Sequence, residues 1–481
     1  MLNRKLFEVL KELNPAQHKR LRLFLCSPYF NNGVSAENTI RLYDLLVQHH
    51  SDESHPALAK KKVQALFFPD MAYLEKAKSP VDNLASNLFQ LVRQFLTQTE
   101  LERDMGSVYN YLALARFYRM HALEERFWQI MTAAHKDLNS ASVRDDTFYF
   151  QKFLLEQEEA KFRGLYNSSQ DDNNLAAAQE SLDRYYSIIK MDYACVLAYQ
   201  RSIAQLEDSS LPLFYNELLE MTAEGNTLDL PPNRIYRLII QLLKESSEKK
   251  LLQLDQLLKA YKEQINPNSF KNLNAFYRIL WTKHYFRDSK SAPLQRIFKI
   301  YREHLEEGYF YLDDMIPTTS FNNLVIYGLR VGETAWVKKL LDDHPPERIC
   351  GTRHPHEIHS LCMAEYHFVL KEYDQAHDCL QYCNFENPSF TLMSDLILLK
   401  IYFETQNELL EFRLKAIEQK IRRTKLSRTA KMRYFNFLKK LDKVIKYGWQ
   451  KNSPKRTKLI EEIKSVPEIV SREWLLEKVL E

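Results

Sequence analysis

The sequence predicts an all-α protein whose helices pack in pairs to form an array, an α-solenoid. Apolar residues recur three or four positions apart along most of the chain, as they do on one face of a helix. Only nine of the 481 residues are glycine, so few positions suit hairpin turns or phosphate-binding loops. No two runs of alternating apolar and polar residues are joined by a hairpin turn, and strands are therefore not expected.

The first region, residues 1 to about 104, is expected to be a separate helical unit. It opens with the amphipathic segment MLNRKLFEVLKEL, and a second helix should end near Cys26, where SPYFN interrupts the pattern. Ser79 followed by Pro80 is typical of a helix start, because Pro lacks the N–H that the first turn leaves unpaired. The region therefore reads as a unit built of helices.

The middle region, residues 105–410, is expected to contain successive helix pairs. The pattern is clearest at 357–390, where Ala364 and Ala376 provide the small side chains that let two helices approach closely. Tyr373, Leu380 and Pro388 complete a pattern of aromatic, large apolar and terminating residues.

This pattern resembles the tetratricopeptide repeat, although Lys371 occupies the turn position where glycine is favoured. Looser copies occur at 112–130, 323–346 and 398–417. Residues 322–441 also resemble uncharacterised helical-repeat proteins from Bacteroidetes. The residues that carry this resemblance are Pro345-Pro346-Glu347, Tyr373 to Leu380, and Leu398-Leu399-Lys400-Ile401-Tyr402. The resemblance implies a tetratricopeptide-like fold and no known activity. The alternative is a set of helical hairpins that are not true repeats.

The last region, residues 411–481, is expected to form basic helices. Residues 412–458 contain 17 Lys and Arg but only Glu418 and Asp442 as acids, so this segment carries a net charge of +15 and the rest of the chain −11. Such an asymmetry favours an anionic partner or pairing with acids elsewhere in the chain.

A helical projection of residues 426–447 separates an apolar face from a basic one. The apolar arc contains Ala430, Tyr434, Phe437, Leu438, Leu441, Val444 and Ile445. The opposite side contains Arg428, Lys431, Lys439, Lys443 and Lys446, with Phe435 among them. These residues could bind nucleic acid, an acidic protein or anionic lipid headgroups. The alternative is a solvated surface whose bases are partly neutralised within the fold.

Histidine and cysteine are concentrated between His344 and Cys383, where they could in principle bind zinc. Their spacing matches neither a CxxC pair nor the HExxH of a metalloprotease. Cys383 also falls where the repeat pattern wants a small packing residue. We therefore predict no metal or cofactor site.

No enzyme is predicted, because no nucleophile is paired with a base and no Rossmann or P-loop motif is present. The first residues lack the apolar core of a signal peptide, and no segment approaches the length of a membrane span. Six cysteines are too few for a disulfide scaffold. A cytoplasmic protein is expected.

The favoured function is a non-enzymatic scaffold that binds a protein or peptide partner. In the clearest repeat, Ile358, Leu361, Glu365 and Phe368 share the helix face that would line the binding groove. The alternative is nucleic-acid or other polyanion binding through 412–458. The sequence leaves the partner and the oligomeric state open.

Overall fold

The computed structural model describes most of the chain. The described residues are 4–49, 52, 55–71, 79–166, 174–204, 214–287, 294–381, 383–447, 454–466 and 468–480, with backbone alone at 102–107, 203–204, 286–287, 429 and 447. These residues are mostly α-helical, which confirms the predicted all-α class. None of their helices is long and apolar enough to cross a membrane. They form two compact units, Met1–Leu138 and Asn139–Glu481.

The first unit consists of short helices followed by a long one. Its helices are α1 Arg4–Lys11, α2 Pro15–Cys26, α3 Ala36–Gln48, α4 Lys60–Phe67, α5 Pro80–Met120 and α6 Glu124–Ser140, with a 3-10 turn at Pro56–Leu58. The predicted end of the second helix at Cys26 is confirmed. At the start of α5, the Ser79 N–H donates to Asp82 Oδ2 at 2.9 Å. This unit has its own core, which includes the fully buried Leu21, Leu42 and Leu88.

The boundary predicted at about residue 104 coincides neither with the end of a helix nor with the end of a compact unit. Residues 104 and 105 lie inside the continuous helix α5, and the compact unit extends to Leu138. Neither proline nor a run of turn residues interrupts this stretch, so nothing in the chain ends the helix there.

The second unit contains the remaining elements. They are α7 Asp146–Tyr166, α8 Leu175–Ala204, α9 Tyr215–Met221, α10 Pro231–Lys244, α11 Glu248–Tyr261, α12 Pro267–Arg287, α13 Leu294–Glu306, α14 Thr318–Arg330, α15 Thr334–Asp343, α16 Pro355–Val369, α17 Tyr373–Leu380, α18 Pro388–Glu404, α19 Leu410–Arg423, α20 Arg428–Tyr447, α21 Pro454–Ser465 and α22 Arg472–Leu480. Two 3-10 turns lie at Lys262–Gln264 and Pro346–Arg348. A short parallel pair, β1 Ile316–Pro317 and β2 Ile349–Cys350, was not expected.

The helices of the second unit pack mainly against near neighbours in the chain. Helix α16 packs against α14, α15, α17 and α18, and α10 packs against α8, α11 and α12. Many consecutive helices are thus packing partners, and several alternate helices, such as α14 with α16 and α16 with α18, also lie side by side. The helices from α19 to α22 continue this packing, so the predicted boundary at 410/411 coincides with the start of a helix and not with the end of a compact unit.

Three helix pairs share one turn geometry. Gly332, Lys371 and Gln406 each adopt a left-handed backbone, with φ of 86°, 63° and 53°. The N–H that follows each of them donates to the carbonyl oxygen five residues before it, at 2.9 Å in all three turns. This is the Schellman arrangement that ends a helix and reverses the chain. The helices that precede these turns, α14, α16 and α18, pack side by side, and we call their common surface the α14–α18 face.

Close approach within the pairs depends on small residues. Ala364 and Ala376 are completely buried between α16 and α17, as the sequence predicted. Between α14 and α15, a Cβ added to Gly328 would lie 2.5 Å from the Val337 Cγ2 atom. Only glycine therefore fits at this crossing without displacing a neighbour.

Candidate functional site

A buried lysine lies at the centre of the α14–α18 face. Lys400 of α18 is only 8% exposed, and its ammonium lies 5.4 Å from the centroid of the Phe368 ring on α16. Among the described residues, no carboxylate lies within ion-pairing distance of this ammonium. Burial lowers the pKa of Lys400, since desolvation disfavours its charged form.

Charged groups from four helices surround this lysine. Glu365 of α16, Glu404 of α18 and Glu473 of α22 favour its charge, while Arg330 of α14 opposes it. We call these four residues with Lys400 the Lys400 cluster. Arg330 is exposed and Glu365 is half-buried, so part of the cluster remains open to solvent.

The C-terminal helix α22 covers one end of this face. The Trp474 indole N–H donates to Glu404 Oε1 at 2.8 Å, and the indole packs edge-on against Phe403 with ring centroids 5.3 Å apart. The Lys478 ammonium lies 3.1 Å from the same Glu404 oxygen, and its side chain is 7% exposed. A single turn of α18 thus receives both an aromatic and a basic side chain from α22.

The pKa of Tyr285, near the end of α12, shows that charges on α22 act on other helices of this unit. Burial raises the pKa of the Tyr285 phenol, and the charge of Glu473 raises it further. The positive charges of Arg330 and Arg472 lower this pKa. The start of α22 therefore lies within electrostatic range of α12, α14 and α18, three helices that are far from it in sequence.

The predicted groove-lining residues are placed differently from expectation. Ile358, Leu361 and Phe368 are buried, at 2%, 0% and 9% exposure, so these side chains pack inside the unit and do not line an open groove. The physical reason is that α16 is packed on four other helices, which cover most of its circumference. Glu365 alone of the four is half-buried and belongs to the open side of the Lys400 cluster.

The basic segment forms α19, α20 and the start of α21, with residues 448–453 outside the described residues. Four residues of the apolar arc predicted for α20 are buried as expected. They are Phe437, Leu438, Leu441 and Val444, each 0–2% exposed. These residues pack in a common core with helices α18 to α22. The bases of α20 consequently lie toward the outside.

We define the basic surface as Arg428, Lys431, Lys439, Lys443 and Lys446. Two of these five bases, Lys443 and Lys446, pair with carboxylates within the fold. Lys443 and Lys440 both bind Glu462 Oε2 at 2.6 Å, and these two hydrogen bonds lower the Glu462 pKa to about 2. Lys446 binds Asp442 at 2.8 Å, and Lys431 donates to the Arg422 carbonyl oxygen at 3.0 Å.

Two bases of this surface remain open. Arg428 and Lys439 are exposed, and neither has an acidic partner among the residues that the structure describes. Phe435 does not stand free beside them. It is partly buried against the core, and the Arg422 guanidinium lies 5.7 Å from its ring centroid. The surface therefore offers separated charges for an anion and no open aromatic platform.

The histidines and cysteines between 344 and 383 serve hydrogen bonding and packing. His344 bonds the Tyr311 hydroxyl at 2.9 Å, and His359 bonds the Leu341 carbonyl oxygen at 3.1 Å. The Cys383 thiol donates to the Cys379 carbonyl oxygen at 3.2 Å. Within the described ranges, no three His, Cys, Asp or Glu side chains converge as metal ligands.

Sequence reasoning missed Arg330, Lys400, Trp474 and Lys478. The signal for Lys400 was available, since a lone lysine inside the apolar run LILLKIYF is too far from either end of the run to avoid burial. Arg330 and Trp474 carry no comparable signal, because their proximity depends on how α22 packs.

No protein-family model matches the chain, and comparisons with curated proteins and with solved structures find no match either.

Proposed function

We propose that this protein is a non-enzymatic helical-repeat scaffold that binds an amphipathic helix of a partner protein on the α14–α18 face. The observation that carries the proposal is the seating of α22, a helix of the chain itself, against Glu404 and Phe403 of that face. A surface that accepts one helix through an aromatic anchor and a basic side chain has the chemistry to accept another.

The open part of the Lys400 cluster supplies the recognition groups. Arg330 is exposed, Glu365 is half-buried, and Lys400 lies beneath them without an ion-paired carboxylate among the described residues. Charges on a partly desolvated surface discriminate between partners more strongly than charges in bulk water. We expect the bound helix to present at least one carboxylate toward Arg330 and Lys400.

The chemistry of three cysteine thiols supports a role without catalysis. Burial raises the thiol pKa of Cys195 and Cys362, and it raises that of Cys383 to about 11. Thiols in this state are poor nucleophiles at neutral pH. The tetratricopeptide-like organisation remains part of the proposal, supported by the recurring turns at Gly332, Lys371 and Gln406.

Site-specific photo-crosslinking tests this function. Benzoylphenylalanine would replace Arg330 on the face, or the exposed Lys339 of α15 as a control position, in the full chain exposed to native lysate. We expect one protein to crosslink from position 330 and not from position 339. The captured protein is then purified and titrated against the Arg330→Glu and Lys339→Glu variants, which change charge equally.

The expected result is roughly tenfold weaker binding for Arg330→Glu and little change for Lys339→Glu, because only the first adds a repulsive charge to the contact. The proposal fails if position 330 captures nothing beyond position 339. It also fails if both variants bind as tightly as the unchanged chain.

A second candidate is polyanion binding by the basic surface, and the exposed Arg428 and Lys439 favour it. We expect affinity for single- or double-stranded nucleic acid to fall steeply with salt and to be lost in the Arg428→Glu, Lys439→Glu double variant. The Lys299→Glu, Lys339→Glu double variant is the charge-matched control, because both lysines are exposed and lie outside the basic surface. Binding that persists in the double variant would rule out this surface.

A further inference from the structure

Helix α8 exposes a continuous apolar stripe. Its opposite side is buried against α7 and α10, through residues such as Met191, Ala194 and Cys195. The exposed side carries Leu175, Leu182, Tyr186, Tyr193, Val196 and Leu197, with the half-buried Ile189 among them. Tyr193 is 60% exposed and Leu175 is 56% exposed. Monomeric proteins rarely leave so extended an apolar surface uncovered, so the stripe is expected to have a partner.

The spacing of the stripe identifies the geometry of that partner. From Leu182 to Val196, the apolar residues are separated alternately by four and three positions, the pattern of a two-helix coiled-coil seam. Gln179 and Gln200 continue the same register at the two ends. At 1.5 Å per residue the seam is about 30 Å long, enough for several layers of side chains. The complementary surface is therefore another amphipathic helix.

We infer that this helix is α8 of a second copy of the chain, packed antiparallel about a two-fold axis. In one register, Tyr186 of each copy faces Ile189 of the other, and Tyr193 faces Leu182. The same register sets Gln200 opposite Leu175 and Gln179 opposite Val196. Every position of the seam is thus matched by a single two-fold operation, which is the property of an isologous interface.

The charges beside the seam select this arrangement. Asp183 and Lys190 occupy the same flank of α8, in equivalent positions one heptad apart. In the antiparallel register, Asp183 of each copy faces Lys190 of the other, and the pair occurs twice by symmetry. The opposite flank sets Tyr185 against Asp192, so no like charges meet. A parallel pairing would place Lys190 opposite Tyr185 and Asp192 opposite Leu197, with no complementary pair.

The test measures the mass of the full chain in solution by light scattering and sedimentation equilibrium over a range of concentrations. We expect a monomer–dimer equilibrium that Tyr193→Glu shifts to monomer. Leu165→Glu is the matched control, because Leu165 is 61% exposed on α7 and lies outside the stripe. Circular dichroism verifies that both variants stay helical.

Charge reversal then tests the register. Asp183→Lys and Lys190→Asp should each weaken dimerisation roughly tenfold, and the double variant should restore it, because the exchange recreates both opposite-charge pairs. If the protein stays monomeric at high micromolar concentration, the inference is overturned. This holds even if the apolar stripe is then found to bind an unrelated protein. Dimerisation that is unaffected by Tyr193→Glu, or not restored by the charge exchange, also overturns it.

Discussion

Lys371 shows how a single residue can conflict with the turn that it occupies. Its φ of 63° places the Cβ atom close to the following carbonyl oxygen, a conformation that costs about 1 kcal/mol for residues other than glycine. The equivalent position in the preceding helix pair is Gly332, which is free of this penalty. The lysine is retained although the turn geometry favours glycine.

Replacing Lys371 with glycine is expected to stabilise the protein by about 1 kcal/mol, since it relieves the left-handed strain and retains the hydrogen bonds of the turn. Urea unfolding monitored by circular dichroism measures the change. Gly332→Ala is the converse variant and should destabilise by a similar amount. A Lys371→Gly protein that is less stable than the unchanged chain would contradict the proposed turn geometry.

His304 is expected to make stability depend on pH. Burial, assisted by Arg278, lowers its pKa to about 3, and the Arg278 guanidinium donates to the neutral imidazole at 2.9 Å. The unfolded chain protonates this histidine below about pH 6.5 while the folded chain does not. The unfolded state therefore binds more protons between pH 6.5 and 3, and the contribution of His304 to stability falls as pH falls through this window.

The His304→Asn variant isolates this effect, because an amide oxygen can accept the Arg278 hydrogen bond without titrating. As pH falls from 6.5 to 4, the unchanged chain should lose a few kcal/mol more of its free energy of unfolding than the His304→Asn variant loses. Chemical unfolding at matched pH values measures the difference. A difference that is independent of pH would show that His304 titrates normally in the folded protein.

At the scale of the element, α22 is held by few but specific contacts. Trp474 joins it to Phe403, Phe437 and Glu404, while its far end, Leu480, is 63% exposed. Trp474→Ala removes the aromatic packing and leaves Glu404 without its indole donor, at a cost of about 3 kcal/mol. Because the helix packing of α22 is mainly with α20 and α21, it can detach while helices earlier in the unit stay folded.

Hydrogen exchange is the measurement for this variant. We expect Trp474→Ala to accelerate amide exchange in α22, and to a smaller degree in α21, while α10 and α11 keep their protection. Leu480→Ala is the control and should leave exchange in α22 almost unchanged outside its last turn. Equal acceleration throughout the second unit would show that α22 is not a separable element.

The elements also show what sequence alone could predict. The ends of α2 and the starts of α10 and α12 follow from prolines and polar breaks, and the apolar face of α20 follows from helical spacing. The burial of Ile358 and Leu361 could not be foreseen, because periodicity identifies an apolar face without showing how many helices pack on it. The proximity of Trp474 to Glu404 is a tertiary contact between distant positions, and no local pattern encodes it.

At the scale of the whole molecule, near-neighbour packing has a consequence for unfolding. In the second unit, α10 contacts α8, α11 and α12, while α20 contacts α19, α21 and α22. Stability in such an array is close to a sum over local interfaces, because most of the helix packing is between near neighbours in the chain, with the contacts of α22 on α18 as an exception. Damage to one interface should therefore remain local.

Two buried leucines test this consequence at opposite ends of the unit. Leu254 of α11 and Leu441 of α20 are both completely buried, so each change to alanine should cost about 2–5 kcal/mol. Native-state hydrogen exchange should show Leu254→Ala accelerating α10 to α12 and sparing α19 to α22, with the reverse pattern for Leu441→Ala. If either variant instead lowered protection equally in all these helices, the unit would unfold as one cooperative body and the additive description of the array would have to be abandoned.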